Sequence, residues 1–356
     1  MVDPQGPIFP WPRTARPPLV SARLRAAPED FVVEEQMPFV LAGVGEHLWL
    51  KVCKRGFNTE QVAKQLARIA GVTRREVGYA GMKDRHAITV QWFSLHLAGR
   101  PDPDWTSLPD GMTVVESTRH SRKLKTGALS GNRFVIVLRD CVGNRDGALR
   151  RGEEISTRGV PNYFGEQRFG HNGGNVAAAR AMFAGSGSPR DRKQAGIYLS
   201  AARSLVFNEL LARRVTAATW DQVLDGDAMM LNGSRSFFVP EVINETIQQR
   251  LAEGDVHPSG PLWGTGDLPT KSGVRELEAA MASEHPDLVR GLEAAGLEQE
   301  RRSLRVIPRE FNAHWLEATT LSLTFVLPPG SYATMVLREL ADYRDAAASA
   351  WGEEPA

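Results

Sequence analysis

Cysteine is almost missing from this sequence: its 356 residues include two, Cys53 and Cys141, far apart and outside any CxxC spacing. That excludes a disulfide scaffold and makes a reduced, cytoplasmic, disulfide-free protein the expectation. Long apolar runs are missing as well, and none approaches the roughly 18–20 residues of a membrane span. The N-terminus has no charged-then-apolar layout of an export signal. No HExxH, GxSxG or GxGxxG occurs, and Gly78–Lys83 lacks both the spacing and the Ser/Thr of a phosphate-binding loop. The eight histidines are scattered singly, which argues against a zinc site or a serine triad. The net charge is only +1.

What is present is an ordinary globular composition, 42 % hydrophobic and 24 % charged, long enough for two or three domains. The charge is unevenly spread. Residues 1–160 carry 24 basic and 17 acidic side chains, and the remainder 19 and 25. A basic first half beside an acidic second half suits a face built for a polyanion.

The first twenty residues hold six prolines and read as an extended arm. Phe31–Glu35, His47–Cys53 and Thr89–Leu97 are rich in β-branched and aromatic residues and predict strands. Asn58-Thr59 offers a cap for a helix carrying Val62, Leu66 and Ile69, which Gly71 ends. Thr73–Glu76 has capping-box spacing, and Pro101–Pro109 is a loop. Arg133–Arg139 is apolar on both sides and predicts a central strand covered on both faces. Leu321–Leu327 predicts another strand, and Ala333–Leu340 a helix. Between these flanks, Arg192–Val215 predicts a long amphipathic helix, and Gly273–Leu297 a charged helical run. Composition changes near Gly159-Val-Pro161 and Ile307-Pro308, so the fold class expected is α+β, interrupted by a second domain.

Three segments concentrate chemistry. Gly78–Gln91 contains Lys83-Asp84-Arg85, a carboxylate between two cations, the setting that keeps a nucleophile or base ionised. Arg119–Lys125 places four cations among seven residues beside Gly127 and Gly131, a pattern that can track a phosphate backbone. Asn162–Gly170 mixes three aromatics with Arg168 and amides. Such a mixture suits stacking and edge-reading of unpaired bases, and equally suits a loop anchored by its rings.

Taken together, in order along the chain, these segments resemble the TruD family of tRNA pseudouridine synthases. The resemblance rests on Pro28-Glu-Asp-Phe-Val-Val33, Gly81–Gln91, Arg122-Lys-Leu-Lys125 running into Gly131-Asn132, and Pro161–Gly170. It continues through Tyr198–Ser204, Asp225-Gly-Asp227 and Leu327–Thr334, so it spans residues 24 to 340. It implies a pseudouridine-synthase core, a mixed and mainly antiparallel sheet flanked by helices, formed by 21–158 and 307–345. An α+β TRUD domain is inserted at 159–306, with the Pro-rich arm at 1–20 and an acidic tail at 346–356. The activity implied is isomerisation of uridine to pseudouridine in tRNA, at position 13 of the D arm. Asp84 matches the family's essential aspartate. Phe31, Asn132 and Tyr332 match the positions that hold the flipped base, with Tyr332 standing where the family usually has Phe. Arg25 falls where the family places a basic partner for the aspartate. Lys83, Arg122, Lys123, Lys125 and Arg168 are the further substrate-binding candidates. No redox change or net hydrolysis occurs, so no cofactor and no metal is expected. The partner expected is tRNA, with no membrane, no obligate protein partner, and a monomer by default. The alternative reading is a non-catalytic RNA-binding or tRNA-folding protein using the same basic face.

Overall fold

A computed structural model describes residues 11–14, 18–83, 85 and 87–347. Two compact units emerge. The sheet unit comprises Leu19–Glu153, Pro308–Gly330 and the chain from Leu340 onward. The helical unit comprises Glu154–Ile307 and Ser331–Glu339 together with the described residues before Leu19. The sequence reading draws its boundaries at 158/159 and 306/307 and leaves 331–339 with the sheet, whereas contacts group 331–339 with the helical unit.

In the sheet unit, ten strands among the described residues form one mixed sheet. Its main path runs Arg309–Glu317, Thr320–Leu327, Gly131–Gly143, Phe31–Gln36, Ile88–His96, His47–Lys54, Met112–His120. Only Phe31–Gln36 and Ile88–His96 pair parallel along that path. Off it, Val20–Leu24 joins Gly131–Gly143 antiparallel and Ala341–Asp345 parallel. This is the mixed, mainly antiparallel architecture expected. The helix Thr59–Ala70 starts where Asn58 and Gln61 exchange side-chain-to-backbone hydrogen bonds of 2.8 Å, and it ends at Gly71 with φ 63°. Its Val62, Ala63, Leu66 and Ala67 pack on Leu48, Leu50, Val52, Phe93 and Leu95; each fully buried Val or Leu contributes about 1.5–3 kcal/mol.

Strand Gly131–Gly143 departs from expectation in one respect. Phe134, Ile136 and Leu138 are buried, but Val135 and Val137 are only half-buried, so one face is sealed and the other partly covered. Gly131 is required by proximity: a Cβ there would lie 2.7 Å from the Leu327 carbonyl oxygen of the neighbouring strand. The edge strands Met112–His120 and Arg309–Glu317 were not read as strands: the first is largely solvent-facing without alternation, and the second alternates only at half-buried Phe311, Ala313 and Trp315.

The helical unit is built around Arg192–Thr216, capped by Asp191, which buries Ala201, Ala202, Leu205, Val206, Leu210 and Leu211. The expected run Gly273–Leu297 is two helices, Ser272–Glu284 and Pro286–Ala294. Pro286 has no N–H to continue the first and is pre-set to start the second. A four-stranded sheet, ordered Phe237–Phe238, Met229–Leu231, Val256–Leu262, Glu300–Ser303, lies in this unit. Its strand Val256–Leu262 was hidden by Pro258 and Pro261, residues that argue against an interior strand.

Two charge pairs are sealed in this unit. Arg214 donates to both oxygens of Asp227 at 2.9 and 3.0 Å and to the carbonyls of Thr219 and Gln222. Arg301 pairs with Glu278 at 2.8 Å. Beside Asp227, Gly226 has φ 87°, and a Cβ there would meet the Lys271 carbonyl. Trp11 stacks on Tyr163 at 5.9 Å, and the Thr14 hydroxyl donates to Glu339 at 2.6 Å. That part of the expected arm therefore packs within this unit. Residues 1–10 and 15–17 of the arm and 348–356 of the acidic tail lie outside the described residues.

His257 is buried in strand Val256–Leu262 with its Nδ1 accepting from Arg305 at 3.1 Å. Burial, reinforced by the Arg305 charge, pushes its pKa down to about 3. The folded chain thus holds His257 neutral while the unfolded chain protonates it below about pH 6.5. Stability should fall as pH drops from about 6.5 towards 3, by about 2 kcal/mol at pH 5 from this group alone. Urea denaturation at pH 7 and pH 5 should show a smaller acid loss for His257→Gln than for the parent.

Candidate active site

Register places the candidate residues of the sheet unit. Phe31 lies opposite Ile136 and Glu35 opposite Asn132 in the antiparallel pairing of their strands. Since alternate residues share a face, Phe31 and Glu35 lie on the same face as Asn132. Phe31 is 8 % exposed, with the Phe134 ring edge-on at 6.2 Å and the Arg25 guanidinium over its own ring at 5.6 Å. Asn132 Oδ1 is buried and accepts no hydrogen bond among the described residues. An orphaned buried amide oxygen costs roughly 1–3 kcal/mol unless something donates to it.

Arg25 sits immediately after Val20–Leu24 with φ 55°, a conformation that a residue bearing a side chain adopts at a cost. Its Nε donates to Asp345 Oδ1 at 3.0 Å, and its Nη2 pairs with Oδ2. Parallel pairing brings Asp345 opposite Leu24, which explains the contact. Asp84, the partner expected from sequence, lies outside the described residues. Asp345 was not foreseen, being some 320 residues away in the chain.

The loop before strand Ile88–His96 is tied down at several points. Lys83 Nζ lies 2.6 Å from Glu35 Oε1, and Glu35 Oε2 accepts the Trp92 N–H at 2.8 Å. Parallel pairing stops at Glu34 and Val90, so the Glu35 carboxylate takes the Trp92 N–H beyond the last paired residues. Burial raises the Glu35 pKa, while Lys83 pulls it the other way. The Lys83 N–H donates to Thr59 Oγ1 at 2.8 Å, and Gln91 Nε2 donates to the Gly81 carbonyl at 2.7 Å. Glu35 and Thr59 escaped the sequence reading, although a carboxylate pair ending an apolar strand signals a buried charge in need of a partner. A cleft of about 420 Å³, lined by Glu35 and Trp92 among others, opens near the end of strand Phe31–Gln36, where Lys51 is held by Glu34 at 2.6 Å. Neither Phe31 nor Asn132 lines it.

The basic segment divides into anchors and outward cations. Arg119 donates to Asp102 and to the carbonyls of Leu97 and Arg100. Lys123 Nζ donates to the Arg75 carbonyl at 2.5 Å. Trp49 Nε1 donates to the Arg122 carbonyl and Ser94 Oγ accepts the Leu124 N–H, which hangs the segment on the sheet. Arg122 and Lys125 are exposed, and their side chains make no ion pair among the described residues.

Tyr332 and Arg168 belong to the helical unit and meet there. Arg168 donates from Nε to the Tyr332 hydroxyl at 3.1 Å and from Nη1 to Ser200 at 2.9 Å. The hydroxyl that distinguishes Tyr332 from the family's usual Phe therefore has a partner. The rings of Asn162–Gly170 are core: Tyr163, Phe164 and Phe169 are 1, 8 and 1 % exposed. The Arg302 guanidinium lies 4.0 Å from the Phe164 centroid, and Asn208 pairs with the Phe164 backbone through both amide atoms. The rings are packed into the interior, Tyr163 and Phe169 against Trp11 and Phe164 beneath Arg302, which favours the loop-anchoring reading over base stacking. Among the described residues no group of three or more His, Cys, Asp or Glu is arranged to hold a metal, and no helix is long and apolar enough to cross a membrane.

The family model described as "tRNA pseudouridine synthase D (TruD)" matches residues 14–185 and 183–340. A tRNA pseudouridine synthase D of Xanthomonas campestris pv. campestris (strain B100) is 51 % identical over 350 residues, covering 94 % of this chain and 95 % of that one. One from Nitrosococcus oceani is 49 % identical over 333 residues, covering 93 % of each. A Methanosarcina mazei crystal structure assigned to the same protein matches with a TM-score of 0.69 at 21 % identity, over 92 % of this chain and 95 % of that one, and bears on the fold. The fold and the extent of these matches define the class, a pseudouridine-synthase-type α+β protein. Within that class, the chain belongs to the TruD family.

Replacing Tyr332 with Phe removes the acceptor of Arg168 Nε and leaves Nη1 on Ser200. Stability should fall by about 1 kcal/mol, read as a lower urea midpoint with unchanged slope.

Proposed function

We propose that this chain isomerises uridine to pseudouridine in tRNA, at position 13 of the D arm, with the sheet unit as catalytic domain and 159–306 as the inserted TRUD domain. The observation that carries the reading is Asn132. Its buried, unsatisfied Oδ1 shares a face with Phe31 and lies opposite Glu35, whose carboxylate holds Lys83, the residue before Asp84. An acceptor of that kind fits the N3–H of a uracil lifted out of its stack. The relatives at about 50 % identity, all named tRNA pseudouridine synthase D, support the same reaction and substrate class.

In this reading the N1–C1′ bond of the uridine breaks, the uracil turns while retained, and C5 bonds to C1′ with loss of the C5 hydrogen as a proton and uptake of one proton at N1. Asp84 acts on the flipped nucleotide as nucleophile or base. Phe31 limits tilt of the base, and Arg25, already oriented by Asp345, supplies positive charge that keeps the carboxylate ionised. Tyr332 and Arg168 contact the RNA. Arg122 and Lys125 meet phosphates, with Lys123 holding their segment in place. Atoms and electrons balance without a cofactor, and the protein works as a cytoplasmic monomer.

Tritium release from tRNA transcripts labelled at uridine C5 tests the reaction. The parent should release tritium, Asp84→Asn should lose release by at least 10³-fold while retaining tRNA affinity within a few-fold, and replacing uridine 13 should abolish it. Binding without release from any uridine-13 tRNA would favour the non-catalytic RNA-binding reading. For the basic segment, Arg122→Ala and Lys125→Ala should weaken binding uniformly across tRNAs and each lower the slope of log affinity against log salt by about 0.7–0.9.

A further inference from the structure

The residues just before position 84 are held by a closed circuit of buried polar side chains. Thr59 Oγ1 accepts the Lys83 N–H at 2.8 Å and donates to Gln91 Oε1 at 3.0 Å. Gln91 Nε2 returns to the Gly81 carbonyl at 2.7 Å. Thr59 and Gln91 are both 0 % exposed. On the other side of position 84, the Arg85 carbonyl accepts the Gly56 N–H at 3.2 Å. Backbone groups of the residues immediately before and after Asp84 are thus both pinned. A fourth tie, Glu35 to Lys83 Nζ at 2.6 Å, comes from a carboxylate that is 2 % exposed.

Burying a threonine, a glutamine and a carboxylate is costly compared with apolar residues of similar volume. Here the bonds of Thr59 and Gln91 converge on the backbone of Gly81–Lys83, and Glu35 meets the Lys83 ammonium and the Trp92 N–H. The supports are themselves rigid. Thr59 is the first residue of a helix whose start is set by the Asn58–Gln61 capping pair, and Gln91 lies within strand Ile88–His96. The circuit therefore transmits the placement of a helix N-terminus and a strand to the loop.

We propose that Thr59, Gln91 and Glu35 are positioning residues for Asp84, setting its carboxylate against the reacting nucleotide. This rests on the reading that Asp84 performs the chemistry. They touch no substrate; they act through Gly81 and Lys83, on the N-terminal side of position 84, while the Gly56 N–H holds the Arg85 carbonyl beyond it. A misplacement of about 1 Å at a reacting group costs on the order of 10²-fold in rate, so loss of one tie should lower turnover without weakening RNA binding.

Single-turnover tritium release, with tRNA affinity measured on the same preparations, tests this. Thr59→Val keeps shape and removes both hydrogen bonds, and Thr59→Ser restores them. The maximal rate of Thr59→Val should fall about 10–100-fold with tRNA affinity within twofold, and Thr59→Ser should recover to within about threefold of the parent. Glu35→Gln, which keeps an acceptor for the Trp92 N–H but removes the charge facing Lys83, should also lower the rate at unchanged affinity. It decides the matter if Thr59→Val does not unfold cooperatively. Folded Thr59→Val and Glu35→Gln turning over at the parental rate would overturn the proposal. So would a loss confined to tRNA affinity, or a Thr59→Ser as slow as Thr59→Val. Asp84→Asn is run alongside: if it retains turnover, the assignment of Asp84 itself falls, whereas an inactive Asp84→Asn beside fully active Thr59 and Glu35 variants rejects only the positioning role.

Discussion

The register of strand Gly131–Gly143 is the constraint on which the sheet unit depends. This strand hydrogen-bonds to Phe31–Gln36, to Thr320–Leu327 and, towards its end, to Val20–Leu24. Its buried residues Phe134, Ile136 and Leu138 fix which way alternate side chains point. A slip of one residue would expose that apolar set. It would also turn Asn132 away from the face that carries Phe31 and Glu35. The hydrophobic pattern of one strand thus sets both the core and the candidate site, and the site needs no separate framework.

Many of the residues behind the family resemblance maintain structure. Asp227 neutralises and hydrogen-bonds the buried Arg214 and also accepts the Leu224 N–H. Arg203 gathers the carbonyls of Leu262, Trp263 and Glu298. Asn162 accepts from Arg302 and Ser331 and donates to the Ser303 carbonyl. Each closes a polar network in the interior of the helical unit, where replacement of one member would strand the others.

The strands Phe31–Gln36, His47–Lys54, Ile88–His96 and Thr320–Leu327 were legible because apolar, β-branched runs declare themselves, the helix Thr59–Ala70 because its cap and periodicity agree, and Arg192–Thr216 by its periodicity alone. Edge strands and the proline-bearing strand Val256–Leu262 were not, since pairing supplied what local propensity withheld. Among the site residues, Phe31 and Asn132 could be named from the resemblance, but their shared face required the register. Glu35, Thr59 and Asp345 were silent because their meaning lies in partners distant along the chain. That Lys123 Nζ donates to the Arg75 carbonyl could not be read from the sequence, since nothing in a run of cations distinguishes the one that meets a carbonyl.

The parallel pairing of Val20–Leu24 with Ala341–Asp345 has a consequence for synthesis. Chains emerge N-terminus first, at about 5–20 residues per second. Arg25 is therefore made many seconds before Asp345 exists, and the strand preceding Arg25 lacks its parallel neighbour throughout that interval. Most of the helical unit, Glu154–Ile307, is continuous and can collapse on the ribosome as soon as it emerges. The sheet must wait for its last strand, and with it for the carboxylate that orients Arg25. Assembly of the candidate catalytic residues thus waits until Asp345 has been made and has emerged.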